Sequence, residues 1–537
     1  MKSLLLLLTL TPLMFSCHSL TPAEKRFQNA LQQIDPVSEP LAQKTEIIDI
    51  HTHTFNSRYL PLRGILLGKR DLFPPFSWLI SDCCAIHLAD AISRLTREGP
   101  LAGEAASQPA ITPELLRQEG QPGFLCGILI GLIEKGIQAG AWDPGVDFDT
   151  RLASITAVAD QMNPLERTAI RTAGKMMGFE ELLTHHSGPT SDQALVRFLW
   201  LLTQSDSDMV PIFRQLHGDQ GARITLVSHA MDLGPVYAQQ REEGRFYDFV
   251  TEQLPRLRAQ AAREKGRMLW FVAYNPFRDH TEGGQPGSAL RIVREAVEKY
   301  GASGVKIYPP SGYRPAANDI PRKPRPLFTR HPGAQWENRF GSLDAAELNR
   351  RLAEVLDWCL ENDVPVFTHA GHGEFEARKG YGEHHSHPKW WRAYLESKTP
   401  SGKSRSGLRL CLGHAGGEEF WLGKKNYSNW GQETLALCRE FPHVYCEITI
   451  NSFVVEPKDQ ARFGHRLTNL LQEETEHKNH FGDKLLYGTD WFLPDGAHPA
   501  AALRATQAVF LTDGLRPFYQ RYFFENSRRF LKIHPAR

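Results

Sequence analysis

The chain lacks charge of one sign. Its 537 residues carry 62 Lys+Arg against 61 Asp+Glu, a net charge of +1. That excludes a nucleic-acid binder recognised by bulk positive charge, and equally an acidic solvating tail. No internal repeat or low-complexity tract breaks the sequence. Its apolar runs are short: the first begins at Leu4 and fades by Phe15, and the stretch Phe124–Ile133 spans ten residues. A bilayer-spanning helix needs about 20, so Phe124–Ile133 reads as a buried helix. The eight cysteines (Cys17, Cys83, Cys84, Cys126, Cys359, Cys411, Cys438 and Cys446) include no CxxC pair and no regular spacing. Buried free thiols are expected, with room for one bridge.

What is present is a globular balance, 41% apolar and 23% charged. At about 150 residues per domain, the length allows two to four units or one large barrel with insertions. Met1-Lys2-Ser3, the run Leu4–Leu8 and the apolar stretch to Phe15 have the anatomy of a bacterial export signal. Leu13-Met14-Phe15-Ser16-Cys17 resembles a lipobox. That resemblance implies lipidation of Cys17, a place in the periplasm or cell envelope, and a membrane connection only through the lipid anchor. Plain secretion is the alternative. Residues 18–44, rich in Gln, Pro and Thr, then form a tether with a short helix.

Short apolar segments alternate with amphipathic helical stretches along the rest of the chain. The strand-like segments are Glu46–Ile50, Ile224–Ser228, Leu269–Tyr274, Gly304–Tyr308, Pro365–Thr368, Leu408–Gly413, Val444–Ile448 and Lys484–Gly488. Helical patterns cover Glu242–Lys265, Ala289–Tyr300, Leu343–Asn362, Gly431–Phe441 and Lys458–Glu476. Eight alternating units predict an α/β fold, a (β/α)₈ TIM barrel over residues 45–64 and 221–537. About 170 residues separate the first two strands. Within them Trp78–Arg97, Leu152–Met162, Pro164–Met177, Asp192–Gln204 and Met209–Leu216 read as helices. Residues 65–220 are therefore a large helical insertion after strand 1. A loop leaving the C-terminal end of a barrel strand lies on the active-site face, so the insertion is expected to cap the pocket.

Chemistry gathers at the strand ends. An HxH pair is weak evidence in a chain with 22 histidines, and a second pair, His385-Ser386-His387, stands in a loop. The pair His51-Thr52-His53 differs because it ends the first strand, where residues two apart share a side. Strand 5 ends in His369, strand 6 in His414 and strand 8 in Asp490. Catalytic residues of barrel enzymes come from several strand ends. Neutral imidazoles with one carboxylate suit a divalent ion.

The segments IDIHTH, GVKIYPPSGYRP, VFTHAG, CLGHAGG and LLYGTDW resemble the amidohydrolase superfamily of metal-dependent hydrolases, in its amidohydrolase-related (amidohydrolase 2) branch. They lie within residues 46–60 and 221–537; the insertion matches nothing in the family. The resemblance implies metal ligands at His51, His53, His369 and Asp490. It implies a catalytic acid/base at His414 and a second, proton-accepting role for Asp490. One divalent ion follows, Zn²⁺ first and Mn²⁺ as the alternative. Such an ion can lower the pKa of its water to about 7 and polarise a carbonyl. Lys306 lies where binuclear relatives carry a carbamylated bridging Lys; a structural or substrate-facing Lys is the favoured reading.

His229 after strand 2 and Asn275 after strand 3 can face substrate. Arg314 can hold a carboxylate through two parallel hydrogen bonds, though an exposed surface Arg is the simpler expectation. His372, Glu374 and the histidines of 384–387 form a loop after strand 5 that can close over the site. Trp390, Trp391, Trp421 and Trp491 read as packing residues. The leading expectation is an exported metal-dependent hydrolase of an amide, ester or lactone in a small molecule. The alternatives are a non-oxidative decarboxylase of an aromatic or unsaturated acid, a metal-independent lactonase, and a ligand-binding lipoprotein without turnover. The small molecule is the expected partner in every case, with no nucleic acid.

Overall fold

Strands β1 (Ile47–Thr52), β2 (Ile224–His229), β3 (Met268–Tyr274), β4 (Gly304–Ile307), β5 (Val366–His369), β6 (Leu410–Gly413), β7 (Val444–Thr449) and β8 (Leu485–Gly488) pair in parallel in chain order. The computed structural model that shows them describes residues 20–69, 82–96, 124–143, 145–177, 189–237, 247–280, 285, 287–319, 343–371, 375–378, 380–423, 429–449, 452–472, 478–492 and 498–533. Just past its own end, the β8 segment rejoins the last residues of β1. Thr52 and Trp491 form a parallel bridge, and Asp490 N donates to His51 O at 2.7 Å. The (β/α)₈ TIM barrel expected from the alternation is the fold.

Burial explains the composition of the strands. Every residue of β1, β3 to β8 except Leu269 is buried, as in parallel strands covered on both faces. Helices Leu254–Arg263, Ser288–Tyr300, Ala345–Glu361, Trp430–Glu440, Pro457–Gln472 and Pro499–Phe510 pack outside. The interior is filled by Ile48, Ile50, Val227, Phe271, Phe367, Cys411, Tyr445 and Leu486, with Phe530 from the C-terminal helix among them. Two glycines make room for the large rings. A Cβ on Gly304 would lie 2.5 Å from the Phe271 ring, and one on Gly413 would lie 2.5 Å from the Phe367 ring.

β1 contains a bulge that matters for the site. Asp49 pairs with Leu226 but Thr52 with Ser228, so β1 carries one extra residue. An extra residue reverses the alternation. Ile48 and Ile50 therefore join the interior cluster, while His51 and His53 also turn inward above them.

The insertion is helical among its described residues, with helices Asp82–Leu95, Phe124–Gln138, Phe148–Asp160, Pro164–Met177, Pro189–Leu202 and Met209–Leu216. Buried Asp192 joins two of them, accepting from Arg167 at 2.9 Å and Arg171 at 2.6 Å. No described helix is long and apolar enough to cross a membrane. The segment expected as a tether is docked from Leu20 onward. Its helix Pro22–Leu31 opens with a capping box at Thr21 and Glu24, and sets Phe27 against Gly464. Residues 1–19, including Cys17, lie outside the described residues, as do His372 and Glu374. Cys359, Cys411, Cys438 and Cys446 are buried and free.

Candidate active site

Each functional side chain is set by a strand end. His51 and His53 follow the β1 bulge, Lys306 lies within β4, His369 ends β5, His414 follows β6 and Asp490 follows β8. All six line one small cavity at the barrel mouth. Phe55, Leu60, Met231, Leu233 and Phe375 supply the apolar part of its lining, together with Tyr308. None of residues 65–220 lines it among the described residues. The insertion instead backs the wall: Phe198 stacks on Phe492 at 5.7 Å, Phe492 meets Phe55 at 5.4 Å, and Phe55 meets His53 at 5.2 Å.

The backbone is strained where the chemistry sits. His414 (φ 63°), Ala415 (φ 44°) and Asp490 (φ 54°) occupy the left-handed region that non-glycine residues avoid. Such strain is concentrated at functional sites because surrounding contacts hold it in place. Here His414 N donates to Glu447 Oε2 at 3.2 Å, and Asp490 N is held by His51 O.

The donor set fits a divalent cation. His51 Nε2 and His53 Nε2 each lie 3.1 Å from Asp490 Oδ1. His53 Nδ1 meets the carbonyl of His229 at 3.0 Å, and a carbonyl only accepts, so Nδ1 carries the proton. His51 Nδ1 meets Glu447 Oε2 at 3.0 Å, which fixes the same tautomer when Glu447 is ionised. Nε2 of His53 then faces a carboxylate oxygen, and Nε2 of His51 faces that oxygen and the Lys306 ammonium, 3.1 Å away. Acceptors at that distance need a proton or a cation between them. Imidazoles backed by a carbonyl and a carboxylate are the usual second contacts of metal-bound histidine.

Charge states follow from burial. Burial, then the Lys306 ammonium, hold the His51 and His229 imidazoles well below their ordinary pKa. Burial lowers Lys306 to about 8, against the pull of Asp490 and Glu447; its Nζ lies 3.1 Å from His51 Nε2. Burial likewise takes His414 to about 4.

Several expected site residues lie elsewhere. His229 is buried beneath the cavity, its Nε2 2.8 Å from Ile50 O, and does not line the wall. Asn275 is spent on backbone, donating to Asp232 O at 2.9 Å and accepting from Phe277 N at 3.0 Å. Arg314 is not an exposed surface residue: it is 3% exposed, lies over the Trp390 ring at 4.2 Å and donates to Ala317 O. A flat guanidinium covers an aromatic face readily, and this removes it from solvent. His385 and His387 brace their own loop through Tyr381 O and Asn429. Phe375 brings the loop after β5 to the cavity.

Two buried carboxylates escaped the sequence reading. Glu447 in β7 is fully buried, and burial pushes it up to about 8. Asp49 accepts from Thr489 Oγ1 at 2.6 Å and from His51 N at 3.2 Å, and burial raises it to about 7. The available signal was a lone acid inside each apolar strand, Ile47–Thr52 and Val444–Thr449.

A closed parallel barrel with these side chains at its C-terminal strand ends has the layout of a barrel enzyme, whose catalytic residues come from several strand ends. The chain belongs to the amidohydrolase family, whose model, described as Amidohydrolase, matches residues 218–533. Among solved structures it is similar to a 5-carboxyvanillate decarboxylase from Novosphingobium aromaticivorans, complexed with manganese and 4-hydroxy-3-methoxy-5-nitrobenzoic acid. The two share 13% identity over 71% of this chain and 92% of that one, with a TM-score of 0.39. A probable 2-pyrone-4,6-dicarboxylic acid hydrolase from Acinetobacter baumannii, with citric acid bound, shares 12% identity over 60% of this chain and 89% of its own, with a TM-score of 0.32. At such identities these are likenesses of fold alone. A comparison with curated proteins finds no match.

Proposed function

We propose that the protein is an exported metal-dependent hydrolase that cleaves an amide, ester or lactone bond of a small molecule. The observation that carries this reading is the convergence of His51 Nε2, His53 Nε2 and Asp490 Oδ1 beside His414 in one cavity. His51, His53 and Asp490 would hold one divalent ion, with His369 in the same cavity; nitrogen and oxygen donors suit Zn²⁺ or Mn²⁺. When bound, the ion supplies Lewis acidity, acidifying water and polarising a carbonyl oxygen. Asp490 accepts a proton from the attacking water. His414, neutral at pH 7, receives that proton from Asp490 and returns it to the leaving group. The apolar part of the lining excludes bulk water and seats the non-polar part of the substrate. Export through Met1–Cys17, with lipidation of Cys17, belongs to the same proposal.

The Lys306 ammonium on the cavity wall favours a second reading. It can hold a substrate carboxylate, which suits a decarboxylase. Product analysis separates the two, since only decarboxylation releases CO₂. The first test is His414→Ala. It should cut turnover by about 10²–10⁴-fold while the metal stays bound. Loss of the metal in that variant would make His414 a ligand and overturn its assigned role.

A further inference from the structure

One hydroxyl joins the two halves of the site. Thr449, at the end of β7, places Oγ1 2.7 Å from His414 Nδ1 and 3.2 Å from Glu447 Oε2. The same carboxylate oxygen receives His51 Nδ1 at 3.0 Å and the backbone N–H of His414 at 3.2 Å. Its other oxygen, Oε1, is buried without a hydrogen-bond partner among the described residues. The carboxylate owes its place to Gly488 on the neighbouring strand, where a Cβ would lie 2.5 Å from Glu447 Cγ.

Proton counting fixes the direction of this chain. Thr449 has one hydroxyl proton for two neighbours. Glu447 Oε2 already accepts from the His414 backbone N–H, and it remains an acceptor whether the acid is ionised or carries its proton on Oε1, so the Thr449 proton points to Glu447. His414 must then donate from Nδ1 to Oγ1, which leaves Nε2 bare. The reverse orientation would set the hydroxyl oxygen against the carboxylate with no proton between them.

We propose that Glu447 and Thr449 are positioning residues that set both histidine tautomers from one carboxylate. Glu447 holds His51 with Nδ1 protonated and Nε2 free for the metal. Through Thr449, it holds His414 with Nε2 unprotonated, ready to act as a base. This rests on the reading of His51 as a ligand and His414 as an acid/base group. Neither positioning residue touches substrate.

The test uses the full chain labelled with ¹⁵N-histidine, as purified and again loaded with Zn²⁺, with His414→Asn identifying the ring signals of His414. The wild type should show His414 protonated at Nδ1 and bare at Nε2. Thr449→Val should lose that preference, and Thr449→Ser, which keeps the hydroxyl, should restore it. Zn²⁺ competition supplies the second readout: Glu447→Gln should weaken binding about 10–100-fold, whereas Thr449→Val should stay within about twofold. A wild-type His414 protonated at Nε2, or a tautomer unchanged in Thr449→Val, overturns the inference. Failure of the wild type to bind Zn²⁺ or Mn²⁺ would strike the functional reading instead, while the His414 tautomer would still be read from the protein as purified.

Discussion

Nε2 of His53 and Oδ1 of Asp490 stand 3.1 Å apart where β8 closes onto β1. With Nδ1 of His53 committed to the His229 carbonyl, the pair is two acceptors face to face. A cation relieves that opposition, and so does an amide in place of the carboxylate. Asp490→Asn should therefore raise the melting temperature of chelator-treated protein while removing the stabilisation that added metal gives. For the wild type that stabilisation is about 4 kcal/mol at a thousandfold excess over Kd. Thermal melts with and without Zn²⁺ would check both halves. A destabilised Asp490→Asn apoprotein would mean that the pair shares a proton and is content without a metal.

His217 makes the fold acid-sensitive away from the site. Its ring is 2% exposed, its Nδ1 meets Phe213 O at 2.8 Å, and burial lowers its pKa to about 4. The unfolded chain takes up this proton near pH 6.5, the folded chain only near pH 4. Between those values the unfolded state binds more protons, so stability falls as pH falls and levels off below about 4. The contribution is about 3 kcal/mol. Urea unfolding at pH 7 and pH 5 should show about 2 kcal/mol of this loss in the wild type and a smaller one in His217→Gln. Equal losses in both would assign the acid sensitivity to other groups.

The insertion reaches the site through aromatic packing. Phe198 is 2% exposed and stacks on Phe492, two residues beyond Asp490. Phe198→Ala should cost about 3–5 kcal/mol in unfolding free energy. It should also weaken Zn²⁺ binding, because the segment that carries Asp490 loses its backing. Full Zn²⁺ affinity in a destabilised variant would confine the insertion to a structural role.

Much of this was legible because strand ends are local. An apolar run closing in His or Asp needs only its own alternation to be read, which is why His51, His53, His369, His414 and Asp490 could be named together. Glu447 could not. Its meaning comes from His51 on β1 and His414 at the end of the neighbouring β6, 396 and 33 positions away in the chain, and no spacing in the sequence encodes that. The β1 bulge was equally hidden, since one extra residue shows only against the register of β2. Arg314 was misjudged because composition gives exposure by residue type, whereas its burial depends on Trp390, 76 positions away in the chain. Asn275 was read as substrate-facing because it follows a strand, but its amide closes the turn that begins there.

The most direct measurement is the metal content of the full chain, purified without chelator or nickel, by elemental mass spectrometry. The arrangement of His51, His53 and Asp490 predicts about one divalent ion per chain, zinc or manganese, retained in His414→Ala and lost in Asp490→Ala. No bound metal after reconstitution with both ions would contradict it, and the barrel would then have to work, if it works as an enzyme, without one.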